Sequence, residues 1–187
     1  MPAKKRGFSL IELMVVLLIA MILMALAVPN FIQAYRNNRL SAAMTDMANL
    51  VQRTRYESVR LNSSIACRVI LGAPMTFYID FNDDGARQAA EPTVVLPPEF
   101  QFGVAGTPGP ASMGYAVTNV PPLRITFDGQ GALDFTGTKP GMGIPPATLI
   151  ATLGDSNNPQ IGFRALAITP SGKATVWRAP FGGTWIH

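Results

Sequence analysis

The side chains of this 187-residue chain that are able to do chemistry are few, and their densest grouping is Asp80-x-Asn82-x-Asp84-Gly85 followed by Glu91. Oxygen-bearing residues at the first, third, fifth and twelfth positions, with Gly at the sixth, satisfy the spacing of an EF-hand loop. In such a loop alternating oxygens converge on Ca²⁺ and the Gly permits the sharp turn. Two features depart from that pattern: Phe77-Tyr78-Ile79 before the loop reads as a strand instead of a helix, and Arg87 takes the eighth position, normally aliphatic. A polar β-turn is the competing reading of the same residues. Ca²⁺ is the one cofactor the sequence suggests, with Asp80, Asn82, Asp84 and Glu91 as its ligands.

Enzymatic chemistry lacks an inventory. The one His is His187, and no Cys or His cluster suits a metal. A single cysteine, Cys67, allows no intramolecular disulfide and lies in an apolar run suited to burial. Gly172-Lys173 lacks the upstream Gly and following Ser or Thr of a phosphate loop. Asp83 and Asp84 have no second chemical group beside them and read as solvated loop acids. No catalytic residue is expected, and the chain reads as a non-enzyme.

Glu12 is the remaining conspicuous acid, because of where it sits. From Phe8 to Val28 only Ser9 and Glu12 are not apolar. At about 1.5 Å per residue these 21 residues reach roughly 32 Å as a helix, enough to cross a hydrocarbon core of about 30 Å. Lys4, Lys5 and Arg6 directly precede the run, which places the N-terminus in the cytoplasm and the rest of the chain across the membrane. An acid within such a helix costs about 2.5–3.5 kcal/mol near the bilayer centre and calls for a partner. Ser9-Leu10-Ile11-Glu12 also has the form of a helix capping box.

Composition narrows the classes. With 48% apolar and 14% charged residues the chain is not a disordered one. Its 15 basic and 11 acidic residues give +4, but the leader triplet supplies three of those charges, so the remainder lacks the global basicity of a nucleic-acid binder.

Helix breakers divide the sequence. Between Phe8 and Leu71 there is no Gly and one Pro, Pro29, whereas most of the 17 Gly and 16 Pro lie beyond Leu71. One long helix is expected from about Phe8 to Leu61. Its second part carries a stripe of Leu40, Met44, Met47, Val51, Thr54, Ser58 and Leu61 at three- and four-residue spacing. Pro29 either kinks this helix or opens a second one after Val28. The rest reads as antiparallel β structure. Three hairpins are expected: Ala66–Leu71 with Met75–Phe81, Arg124–Phe127 with Ala132–Phe135, and Phe163–Thr169 with Lys173–Trp177. Gly103–Pro122 and Gly137–Pro146 read as long loops. The fold class is α+β, a helical spine carrying a β head.

Lys4-Lys5-Arg6-Gly7-Phe8-Ser9-Leu10-Ile11-Glu12-Leu13 resembles the processing and methylation segment of type IV prepilins and type II secretion pseudopilins. The resemblance implies that a prepilin peptidase cuts after Gly7 and N-methylates Phe8. It makes Glu12 the family's acid at mature position five and Pro29 its helix-kinking proline. Glu12 and the new amine of Phe8 would then neutralise one another between stacked subunits. Further segments are similar to the GspH/FimT group of minor pseudopilins and minor pilins: Phe77–Gly85 with Glu91, Ile125–Gly131, and Ile168–Lys173. That group implies a β-sandwich-like head packed on the helix and a role in filament priming, protein secretion or pilus function. The implied partners are other pilin or pseudopilin subunits, the prepilin peptidase, the inner membrane and the filament assembly platform.

These readings divide the chain into a leader (1–7), a transmembrane and filament-core helix (8–28), an amphipathic helix (29–62) and an extracytoplasmic, periplasmic head (63–187). Two alternatives accompany them. Some FimT-like minor pilins bind DNA through a basic C-terminal motif, for which Lys173, Arg178 and Arg164 offer charge and Trp177 stacking. This chain spreads its charges more widely than those members do, which also suits a plain solvated hairpin. Alternatively Ala25-Leu26-Ala27 is a signal-peptidase site, and cleavage there releases a soluble β protein.

Overall fold

The absence of Gly from residue 8 to residue 71 leaves nothing to interrupt a helix, and α1 runs as one element over Leu10–Leu61. The computed structural model describes residues 9–114, 117–118, 124–134 and 148–187; Gly7, Phe8, Phe135 and the expected loop 137–146 lie outside them. Pro29 is inside the helix, so the expectation of a second helix opening after Val28 gives way to a continuous one. A proline removes a single ladder bond, that to the carbonyl four residues back, which a long helix tolerates. One residue on, the Asn30 side-chain amide donates to the Leu26 carbonyl at 3.3 Å. The helix stops at Asn62, whose φ of 47° is left-handed. Asn62 N–H reaches the Val59 carbonyl and Ser63 N–H the Ser58 carbonyl, the paired bonds of a Schellman motif with Asn in place of the usual Gly.

Two compact units divide the chain, Met1–Arg36 and Asn37–His187. In the first, the described helical residues are almost all exposed. In the second, the helix buries Leu40, Ala43, Met44, Met47, Leu50, Val51, Thr54 and Ser58. This is the stripe read from the sequence, except that Leu61 at the terminating turn is 46% exposed. The buried stripe starts at Leu40, as read from the sequence. The buried hydroxyls spend their bonds within the helix, Thr54 on the Leu50 carbonyl and Ser58 on that of Arg55.

The head holds two sheets. The first has the order β3-β2-β1-β6, from β1 (Ile65–Ile70), β2 (Thr76–Asp80), β3 (Thr93–Val95) and β6 (Arg124–Phe127), all antiparallel. The second has the order β4-β7-β8-β9, from β4 (Phe100–Phe102), β7 (Thr148–Asp155), β8 (Phe163–Ile168) and β9 (Ala174–Ala179). A two-residue strand, β5 (Val117–Thr118), lies parallel to β7. The inner faces of both sheets and the helical stripe share one core, including Ile65, Cys67, Phe77, Ile79, Phe127, Leu153 and Leu166. Phe77 of β2 meets Phe102 of β4 edge to face at 5.8 Å, joining the sheets directly.

The first and third expected hairpins are present, as β1–β2 and β8–β9. The second is present as far as the described residues reach: β6 pairs with the return through the bridge Phe127–Leu133 and the bonds from Asp128 N–H to the Ala132 carbonyl and from Asp134 N–H to the Thr126 carbonyl. Leu133 N–H, which alternation points away from β6, donates to the Pro170 carbonyl and ties this turn to the β8–β9 turn. Arg55 completes the junction by donating from Nε to the Gly131 carbonyl at 2.8 Å. The stretch read as a loop from Gly103 contains a 3₁₀ turn at Pro110–Met113 and β5.

Candidate assembly interface

Seventeen large apolar side chains between Leu10 and Ile32 are exposed, among them Leu13, Leu17, Ile22, Leu26 and Phe31. Fully burying such a side chain is worth about 1.5–3 kcal/mol. The sum is tens of kcal/mol, which exceeds the net stability of a typical domain, about 5–15 kcal/mol. This surface therefore belongs in lipid or against other helices. By length and composition the helix is able to cross a membrane, and its apolar window is unburied. Glu12 lies in the first turn of the helix, exposed among these residues. Ala25-Leu26-Ala27 lies within this helix.

The Asp80–Glu91 loop takes a different form from an EF-hand. Alternation along β2 turns Phe77 and Ile79 into the core and Tyr78 and Asp80 to the opposite face of the sheet. Arg68 of β1 and Arg124 of β6 are direct cross-strand partners on that same face. Like charges so placed repel, and the loop supplies the compensation. Asp83 bridges them, one oxygen 2.6 Å from Arg68 and the other 2.6 Å from Arg124. Asp80, wholly buried, lies 2.5 Å from Arg68 Nε and accepts the Gly85 N–H at 3.0 Å. The Arg68 Nε–H is not aimed along that line, so the contact is an ion pair in the absence of a hydrogen bond.

The other intended calcium ligands are engaged elsewhere. Glu91 accepts the N–H groups of Phe81 and Gln88, and Asp84 accepts from Ala86 N–H, Asn82 and Gln88. Among the described residues no group of three or more acids, His or Cys is placed to hold a metal. Asp80 is thus held by Arg68 and a backbone amide, Glu91 by two backbone amides, and Asp84 by one backbone amide and the side-chain amides of Asn82 and Gln88.

The charges of the loop follow from these contacts. Burial pulls the Arg68 guanidinium down, but Asp83 and Asp80 outweigh it and hold it above its ordinary value. Tyr78, whose hydroxyl donates to the Gly85 carbonyl at 3.0 Å, is pushed up by burial and then by Asp80. The Ala86 amide and then Asn82 hold the exposed Asp84 carboxyl below its ordinary value.

The β8–β9 hairpin divides the basic residues of the expected DNA motif. Arg164 pairs with Arg178, and Ala165 with Trp177. Period-two alternation therefore puts Arg178 on the helix-facing side with Arg164 and Leu166, and Trp177 on the other side. Trp177 packs there against the outer cluster of Phe163, Ala165 and Trp185, and meets His187 edge to face at 5.2 Å. Lys173 is in the exposed turn. Stacking group and charge thus lie on opposite faces, which does not make one nucleic-acid surface. Cys67 is fully buried in the main core, and burial, partly offset by a hydrogen bond with Thr54, pushes its thiol up to about 12. The sequence reading passed over Arg68 and Arg124; their signal, two cations at outward positions of strands, has meaning only once the register is known.

Residues 2–28 match the family model of the prokaryotic N-terminal methylation motif. The type IV minor pilin FimU of Pseudomonas aeruginosa PAO1 has a similar fold in one crystal form, at 16% identity and a TM-score of 0.51, covering 75% of this chain and 90% of that one. A second crystal form of the same pilin gives 16% identity and a TM-score of 0.47, over 73% of this chain and 91% of that one. No curated protein matches the sequence significantly. The motif is that of prepilin-type processing, and the fold, a long helix packed on an antiparallel-sheet head, is that of a minor pilin.

Proposed function

We infer that this chain, with its prepilin-type methylation motif and minor-pilin fold, is a minor pilin-type subunit of a membrane-built filament. The observation that carries the reading is the exposed apolar surface of α1 between Leu10 and Ile32, joined to a head with its own closed core. Before assembly that surface lies in the inner membrane, with the N-terminus cytoplasmic and the head periplasmic. Prepilin peptidase removes residues 1–7 and methylates Phe8. Afterwards the same surface packs against the helices of other pilin or pseudopilin subunits, delivered through the assembly platform. Glu12 is the one acid in this segment, four residues from the new amine at Phe8. Neutralisation of the amine on one subunit by the carboxylate on the next is a head-to-tail contact, which propagates as an open helical filament. The head serves filament priming in a type IV pilus or a type II secretion pseudopilus.

Intact mass and N-terminal sequencing of the protein from cells with and without prepilin peptidase test this reading. The expected mature chain begins at N-methylated Phe8 and loses that form when Gly7→Val blocks the site or the peptidase is absent. A mature chain beginning at Val28 refutes the reading and identifies a soluble secreted protein.

A further inference from the structure

The half of α1 that packs in the head buries one stripe and leaves another face exposed. Arg39, Asp46, Arg53 and Arg60 recur on that exposed face every seven residues, with Ala42, Asn49 and Tyr56 between them. Seven residues are close to two helical turns, so the four charges lie in one line at intervals of about 10.5 Å. Two of them are neutralised within the chain, Arg39 by Glu99 at 2.8 Å and Arg60 by Glu57 at 2.6 Å. Asp46 and Arg53 make no ion pair among the described residues. They are opposite in sign and exposed, but two turns apart, too far to meet on one helix.

The surroundings suit an approaching helix. Beside Asp46, Ala42 and Ala43 leave a groove of about 210 Å³ against Val95–Pro97. Tyr56, 65% exposed, stands between Arg53 and Arg60, and Tyr and Arg are side chains that anchor protein interfaces. Two parallel copies laid face to face in register would set Asp46 against Asp46 and Arg53 against Arg53, which repel. Sliding one copy by seven residues sets its Arg53 against Asp46 of the other, and its Asp46 against Arg39. Pairing in register is a closed dimer, each patch meeting itself. Pairing with the slide joins two different patches and leaves both ends open.

We propose that this face of α1 docks on the same face of a second copy, parallel and displaced by seven residues, with Asp46 and Arg53 as the pair that sets the displacement. Under the filament-subunit reading above, on which this rests, copies anchored in one membrane by the same end of α1 run parallel. The charges then favour a contact that propagates over one that closes.

The test is crosslinking by a short bismaleimide between two full-length forms, Ala42→Cys and Asn49→Cys, made together in cells that hold the prepilin peptidase and the assembly platform. Both substitutions keep every charge, and the natural thiol of Cys67 is fully buried. A slide of seven residues brings residue 42 of one copy level with residue 49 of the other. An exposed ion pair is worth up to about fivefold in an equilibrium, and the slide gains two while relieving like-charge contacts, so the 42-to-49 product exceeds the 42-to-42 and 49-to-49 products by about fivefold or more. Asp46→Asn, at a position with no ion pair of its own, removes that excess. Dominant 42-to-42 and 49-to-49 products mean a closed pairing and overturn the proposal. A 42-to-49 product unchanged by Asp46→Asn overturns the role of the charges. No crosslink from a mature chain that begins at Phe8 makes this a solvated face and leaves the filament reading standing, whereas a mature chain that begins at Val28 removes that reading and this contact together.

Discussion

Asp80→Ala separates two accounts of the Asp80–Glu91 loop, one in which arginine and backbone amides hold it and one in which calcium does. Asp80 is wholly buried and accepts the Gly85 N–H at 3.0 Å. Losing a hydrogen bond to a charged acceptor costs about 1.5–3 kcal/mol. Asp80 also neutralises Arg68 at 2.5 Å. Stripping one partner from a buried ion pair costs about 3–5 kcal/mol. Arg68, however, is 23% exposed at its side chain and keeps Asp83, so water and the second carboxylate recover most of that, leaving about 1 kcal/mol. The expected loss is about 2–4 kcal/mol, or about 4–16 °C in Tm for a head of this size. Calorimetry and urea unfolding of the Asn37–His187 unit measure it. A calcium site with a Kd of about 10⁻⁴ M would instead add about 1.4 kcal/mol to the wild type at millimolar Ca²⁺, a rise of several degrees. We expect no such rise. A loss below about 1 kcal/mol on substitution, or a calcium-dependent rise in the wild type, refutes the arginine-held account.

Gly172→Ala and Gly103→Ala share a left-handed φ, +78° and +64°, but differ in surroundings. A Cβ at Gly172 overlaps the Gly131 carbonyl oxygen and falls 2.7 Å from Arg55 Nε, so the Arg55 junction must open. The expected cost is about 3–5 kcal/mol, the strain of the conformation plus a charged hydrogen bond, against about 1 kcal/mol for Gly103→Ala, which meets open space; equal losses in urea unfolding contradict the junction's role. Cys67, shifted from 9.0 to about 12, does not react with a thiol reagent at pH 8 until the head is unfolded. Because its folded pKa is raised, the stability it contributes is complete below pH 9 and is lost as pH rises towards 12, since the unfolded thiol ionises first; stability that holds steady across that window counts against a buried thiol.

Much of the architecture was legible because it rests on local signals. The absence of Gly between Phe8 and Leu71 and the spacing of Leu40, Met44, Met47, Val51, Thr54 and Ser58 announce the helix and its buried face. Gly-containing turns announce the β1–β2 and β8–β9 hairpins. β7 escaped notice although Thr148–Leu153 is an apolar run, because a strand covered on both faces lacks the alternation that marks a half-buried one. β3 and β4, at three residues each, are too short to carry a pattern.

The sequence by itself determined what depends on order along the chain: an apolar helix with one acid after a basic leader, and a head made of hairpins. Which charges meet was decided only in three dimensions. Arg68 and Arg124 are 56 residues apart, and the register of β1 against β6 sets them opposite each other for Asp83 to bridge. Trp177 and Arg178 are adjacent in sequence, and the pleat of β9 sends them to opposite faces. Charge pairing depends on distances of a few ångströms, and in a sheet those distances are fixed by register and by the alternation of side chains, neither of which a single strand's sequence contains.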